Sequence, residues 1–159
     1  MAEKKETVPM LRDQLEAHLV EFIHSHNVCT IATCADNVPR ATALEYEAEG
    51  AAIYILLGPG RKGENLKANP LISASIHDPL HGWKTVKGLQ ITGQPVLLTS
   101  ADAEYPEAWR IFNRANQGKP DWDVPPPNFT MLKIVPQKME LLEVALKAEG
   151  FKVKQLWEA

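Results

Sequence analysis

The sequence predicts a small antiparallel β-barrel with flanking helices, a mainly β fold of the α+β class. Three observations carry that expectation. Short segments rich in β-branched residues are joined by turn-length linkers; glycine and proline interrupt the longest of them; and one helical stretch precedes the strands while another is inserted among them. No GxGxxG follows a strand, which argues against a parallel, doubly wound dinucleotide fold. With 159 residues, 45% of them hydrophobic, the chain reads as a single domain over 1–159 with one sizeable core.

A helix is expected over residues 8–26, because Leu11, Leu15, Leu19, Phe22 and Ile23 recur at three- and four-residue spacing. Pro9 suits its first turn and Asn27 its stop. His18, His24 and His26 lie on or beside this stripe and read as exposed or hydrogen-bonded histidines. The barrel is expected over 28–157. It begins with the strand Val28–Thr33, the turn Asp36-Asn37, and a second strand, Ala41–Tyr46, entered through Pro39 and Arg40. Glu47-Ala48-Glu49-Gly50 reads as an acidic turn into a third strand, Ala51–Leu57. Leu71–His77 reads as a fourth strand, and after the loop Asp78–Gly82 a long strand runs over Trp83–Leu98. Gly88, Gly93 and Pro95 inside that strand suggest bulges, a barrel corner or an edge.

A helical insertion is expected over 101–116, capped by Ser100 or Asp102, with Pro106 in its first turn or dividing two short helices. Gln117–Asn128, with Pro125-Pro126-Pro127, reads as an extended loop. Phe129–Val135 and Met139–Ala145 read as two strands, and Gly150–Trp157 as a short terminal one.

A formal net charge of −3 argues against a general nucleic-acid binder, which needs a basic face. No apolar run reaches the roughly 18 residues of a membrane span, and no hydrophobic signal core follows the charged N-terminus. Cys29 and Cys34 have opposite parity in one strand, so they read as free thiols, with Cys34 inert, and a reducing cytoplasm is the expected compartment.

The stretch with the most chemical content is Gly58-Pro59-Gly60-Arg61-Lys62, where a strand ends on a Gly-rich turn at the start of a short helix, Gly63–Ala68. Backbone N–H groups and two cations meet there, an arrangement suited to phosphate or another dianion. His77 and His81, four apart in HDPLH, are candidates for proton transfer; no third ligand accompanies them, so no metal site is expected.

Taken in order, LRDQLEAHLVEFI, VCTIAT, PRATALEY, IYILLGPGRKGENL, NPLISASI and GLQITGQPVLLT resemble the flavin-binding split-barrel superfamily typified by pyridoxamine 5′-phosphate oxidase, over roughly residues 10–100. The resemblance implies a split barrel that holds FMN. Arg40, Arg61 and Lys62 would grip its phosphate. Ala41, Thr42 and Ala43 would lie along the isoalloxazine edge, Leu56 and Leu57 would meet the ring or ribityl chain, and Asn65 would lie near the phosphate. It also implies a homodimer with flavin at the interface, for which Trp83, Lys84, Lys87, Gln90, Trp109 and Trp122 are candidate partner-side residues.

The chain departs from the oxidase pattern in three places. Glu45 stands where the oxidase carries a Lys, Leu56 stands where a Thr is common, and no Arg follows Arg114 to match the C-terminal substrate signature. The expectation is therefore an FMN-dependent oxidoreductase acting on some other small molecule. The alternatives are a non-catalytic flavin-binding or electron-transfer protein, or a haem- or deazaflavin-binding relative.

Overall fold

In the computed structural model, which describes residues 6–115, 125 and 127–159, one antiparallel sheet curls into a half-barrel. Its elements are α1 (Arg12–His24), β1 (Val28–Ala35), β2 (Val38–Glu45), β3 (Glu47–Glu49), β4 (Ala52–Leu57), α2 (Arg61–Ala68), β5 (Ile72–His77), β6 (Lys87–Leu98), α3 (Tyr105–Phe112), β7 (Thr130–Glu143) and β8 (Lys154–Glu158). The strand order is β2-β1-β5-β6-β7-β4-β3, and β8 adds to β7 beyond the end of β4. A 3-10 turn at Trp83–Thr85 leads into β6, and a six-residue 3-10 helix at Val144–Glu149 follows β7.

Local sequence explains the turns. Asp36 and Asn37 both take left-handed backbone angles, φ 52° and 60°, and close the two-residue β1–β2 hairpin. The acidic segment expected as a turn is instead β3. Ala48 points into the core while Glu47 and Glu49 point away from it, and the turn falls at Gly50, φ +57°. So β4 forms its hairpin with β3, not with β2.

The expected strands Phe129–Val135 and Met139–Ala145 are one strand, β7. Thr92 pairs with Lys138 and Gly93 with Pro136, which leaves Gln137 as an extra, bulged residue. The bulge absorbs Pro136, which has no N–H to give the ladder. It also brings β6 and β7 very close together. A Cβ on Gly93 would lie 2.6 Å from Ile134 Cγ2 and 2.9 Å from the Val135 carbonyl oxygen.

The inner face of the sheet and one stripe of α1 form the main core, with Leu15, Leu19, Phe22 and Ile23 packed against Ile31, Ile55, Ile76, Leu89, Ile91 and Leu132. α1 starts later than expected because residues 8–10 are extended. Val8 N–H donates to the Gly150 carbonyl at 3.1 Å, Lys152 N–H donates to that of Val8 at 2.8 Å, and Met10 N–H donates to Gln155 Oε1 at 3.0 Å. A second core lies under α3, where Tyr105, Ala108, Trp109, Ile111 and Phe112 cover Tyr54, Leu98 and Met131. α3 is shorter than the expected helix, with Pro106 in its first turn. Asp102 caps the preceding turn by accepting from the Thr99 N–H and hydroxyl. The expected extended loop lies mostly outside the described residues.

Candidate functional site

One end of β1 assembles the cationic rim. Arg40 lies directly across from Thr33 in the β1–β2 register. The buried Asn65 amide donates to the Thr33 hydroxyl at 3.1 Å, and Asn69 Nδ2 donates to the Cys34 carbonyl at 3.0 Å, so α2 is pinned to this end of β1. Arg61, one helical turn before Asn65, opens α2 immediately after Gly60. Arg40 and Arg61 are exposed and Lys62 half-buried, and among the described residues none of the three forms an ion pair. Three uncompensated cations next to the first N–H groups of an eight-residue helix suit a phosphate group. Asn65, expected near the phosphate, is only 4% exposed, and its amide is engaged by Thr33, which ties α2 to β1.

The remaining expected residues divide by strand parity. Ala41 and Ala43 share the outer sheet face with Ala32 and Thr30, whereas Thr42 sits opposite Ile31 on the inner side. β2 ends the sheet order, so among the described residues its outer edge carries backbone groups with no strand partner. Leu57, 1% exposed, belongs to the main core, and the half-buried Leu56 packs against the cluster under α3. Gln90 is on the outer face. Lys87 is not: its ammonium turns inward to Glu143 at 3.2 Å and lies 4.7 Å from the Phe22 ring centroid. Trp109 is buried beneath α3, Trp83 and Lys84 are exposed on the 3-10 turn, and Trp122 lies outside the described residues.

Sequence reasoning passed over a buried polar knot between α1 and the barrel. Glu143 Oε2 lies 2.6 Å from His18 Nε2 while Oε1 meets Lys87, and His26 Nε2 reaches Asp78 at 2.8 Å. The signal was present in the alternation Met139, Leu141, Glu143, which places a carboxylate on the inner side. Nearby, burial pushes the Cys29 thiol up to about 12, which leaves it protonated and inert at neutral pH. Tyr46 is likewise raised, chiefly by burial and further by Cys29 and Glu47, and its hydroxyl donates to the Ile23 carbonyl.

The outer face also carries a groove of about 630 Å³ between loop 78–86 and β8. Ser75, His77, Gly88, Gln90, Glu140 and Leu156 are among its lining residues. His77 Nδ1–H donates to the Asp78 carbonyl at 3.0 Å, while His81 is exposed in the loop, its backbone N–H held by Thr85 Oγ1.

Comparison with known proteins agrees with this architecture. The family model described as pyridoxamine 5′-phosphate oxidase matches residues 15–143. A curated relative, UPF0306 protein PM1958 of Pasteurella multocida, is 29% identical over 97 residues, a match spanning 59% of this chain and 65% of the relative. A solved FAD-binding protein from Mesorhizobium loti has TM-score 0.65 at 18% identity, covering 77% of this chain and 90% of that one. A heme binding protein from Mycobacterium smegmatis has TM-score 0.66 at 18% identity, covering 90% of this chain and 57% of that one. At such identities the two structures speak for the fold alone. Because the family model spans most of the sequence and the curled antiparallel half-barrel fits it, the chain belongs to the pyridoxamine 5′-phosphate oxidase family.

Proposed function

We propose that this chain binds FMN and acts as a flavin-dependent oxidoreductase on a small molecule other than pyridoxamine 5′-phosphate. What supports the reading is that Arg40 lies across from Thr33, to which α2 is tied through Asn65, and that Arg40, Arg61 and Lys62 have no ion-pair partners among the described residues. A phosphate supplies two negative charges and bidentate acceptors for arginine, which suits these accessible cations. Ala41 and Ala43, small and on the free side of an edge strand, leave backbone N–H and C=O groups open to a flat polar ring. Glu45, exposed at the end of β2, is a poor neighbour for a second, substrate phosphate. When bound, the flavin would supply the electron transfer; this chain's residues hold and orient it.

The outer sheet face that bears Ala32, Ala41 and Ala43 is the surface through which we propose two copies of the chain pair. Sedimentation at micromolar concentration should give twice the chain mass, and a monomer at all concentrations rejects the pairing.

A haem reading draws on the M. smegmatis neighbour and on His77, an exposed outer-face histidine whose Nε2 is left as the acceptor. An absorbance spectrum of the purified protein, before and after added FMN, separates the two. The flavin reading expects bound yellow flavin that NAD(P)H or another donor bleaches, with colour returning in air. A Soret band, or no uptake of FMN, would overturn it.

A further inference from the structure

The two ends of α2 are held unequally. Its second half is tied to β1 by the Asn65 and Asn69 amides, and Leu66 is buried in the main core. Its first turn, which carries Arg61 and Lys62, has no such ties. Gly60 stands at the cap position, and among the described residues no side chain caps the helix. The first helical bond, from Glu64 N–H to the Gly60 carbonyl, is 3.3 Å, against 2.7 Å from Asn69 N–H to the Asn65 carbonyl. A Cβ placed on Gly60 or Gly63 would meet nothing within 4 Å, so no described neighbour braces the turn there.

What braces it lies one step earlier in the chain. The β4–β7 ladder closes with Leu57 opposite Thr130, which sets Gly58 and Phe129 face to face just beyond it. The Phe129 ring lies on Gly58: a Cβ there would stand 3.6 Å from its Cε1 and 3.7 Å from its Cζ, both ordinary contacts. Gly58 has no positive φ, so its backbone does not demand glycine. The missing side chain instead lets the ring rest directly over the main chain, the way an aromatic residue covers a cross-strand glycine and fixes its register.

The swivel is Gly60, φ +141°, and Pro59, whose own φ is restricted, links it to the covered glycine. Both Gly58 and Phe129 are half-buried, and among the described residues neither hydrophobic cluster includes Phe129. The contact therefore sits at the mouth of the turn, apart from the cores.

We infer that Phe129 is a positioning residue for the cationic rim. Its ring clamps Gly58 and thereby sets the direction in which α2 begins, and with it the place of Arg61, Lys62 and the first free N–H groups. Hydrogen bonds to an anion weaken steeply when their donors are misaligned, so a loosened start would cost phosphate affinity. That consequence rests on the FMN reading, whereas the clamp on α2 does not.

Two readouts on the full chain test it. By NMR, the Glu64 amide of the ligand-free protein should exchange with solvent about fivefold faster in Phe129→Ala, the scale of one aromatic contact. The Asn69 amide should keep its wild-type rate. In fluorescence titration the same variant should lose affinity for FMN about tenfold, roughly one charged hydrogen bond, and bind riboflavin as the wild type does. Phe129→Tyr, which keeps the ring, should restore both. If circular dichroism shows Phe129→Ala unfolded, Phe129→Leu, which keeps apolar bulk without the flat ring, takes its place with the same expected directions. An unchanged Glu64 rate, or exchange that quickens equally at Glu64 and Asn69, overturns the clamp. A wild type that prefers FMN and a variant that keeps the same FMN-to-riboflavin ratio overturn the positioning role, leaving only a contribution to stability. Faster Glu64 exchange in a chain whose wild type binds both flavins equally sustains the clamp and rejects the FMN reading.

Discussion

Cys29 sits in the main core on β1, and its thiol has no route to ionise cheaply. Burial raises its pKa from the ordinary 9.0 to about 12, so the folded state keeps a proton that the unfolded chain loses from about pH 9 upward. Its contribution to stability is therefore complete below that pH and falls away as pH rises towards 12, by up to about 1.4 kcal/mol per pH unit. Urea unfolding between pH 8 and 11 should show that decline, and Cys29→Ala should flatten it; an unchanged slope in the variant rejects the assignment to Cys29. Tyr46, raised for the same first reason, adds to the decline from pH 10. Gly93 is fixed by space instead of charge. A methyl there collides with Ile134 and the Val135 backbone, so Gly93→Ala should cost about 1–3 kcal/mol in the same assay. Wild-type stability for that variant would mean that the bulge relaxes freely.

Among the elements, α1 is held by more than its apolar stripe. The Glu143 carboxylate bridges His18 on α1 and Lys87 on β6, and His26 just past the helix holds Asp78. Glu143→Leu leaves Lys87 half-desolvated without its counter-charge, and a loss of about 2 kcal/mol is expected from urea denaturation. Retained stability would show that the polar knot contributes nothing beyond packing. The same elements show what the sequence made legible. The helix stripe, the Asp36-Asn37 hairpin and most strands follow from periodicity and turn chemistry, which are local. The charged segment Glu47–Glu49 looked like a turn because its two glutamates outweigh Ala48, the one residue that faces the core. Pro136 looked like a strand end because only the partner strand's Gly93 reveals the bulge that accommodates it.

For the molecule as a whole, ordered motifs carried more information than any single residue. The family pattern picked out the half-barrel and the cations of the rim, but it did not settle which way each side chain turns. Counting parity from the buried Leu89 and Ile91 would have sent Lys87 inward, while Gln90 between them points out. The Thr33–Asn65 link and the groove depend on β1, α2, β5, β6 and β8 meeting across the sheet, information that no local window holds.

The rim's claim on phosphate is the centre of the account, and comparing FMN with riboflavin tests it most directly, because the two ligands differ only in that group. Fluorescence titration of the wild type should give FMN an advantage of at least about tenfold, since each charged hydrogen bond to phosphate contributes roughly 1.5–3 kcal/mol. The double variant Arg61→Ala with Lys62→Ala should bind riboflavin as before and FMN hardly better. Equal affinities for the two flavins in the wild type, or an FMN advantage that survives in the double variant, would contradict it.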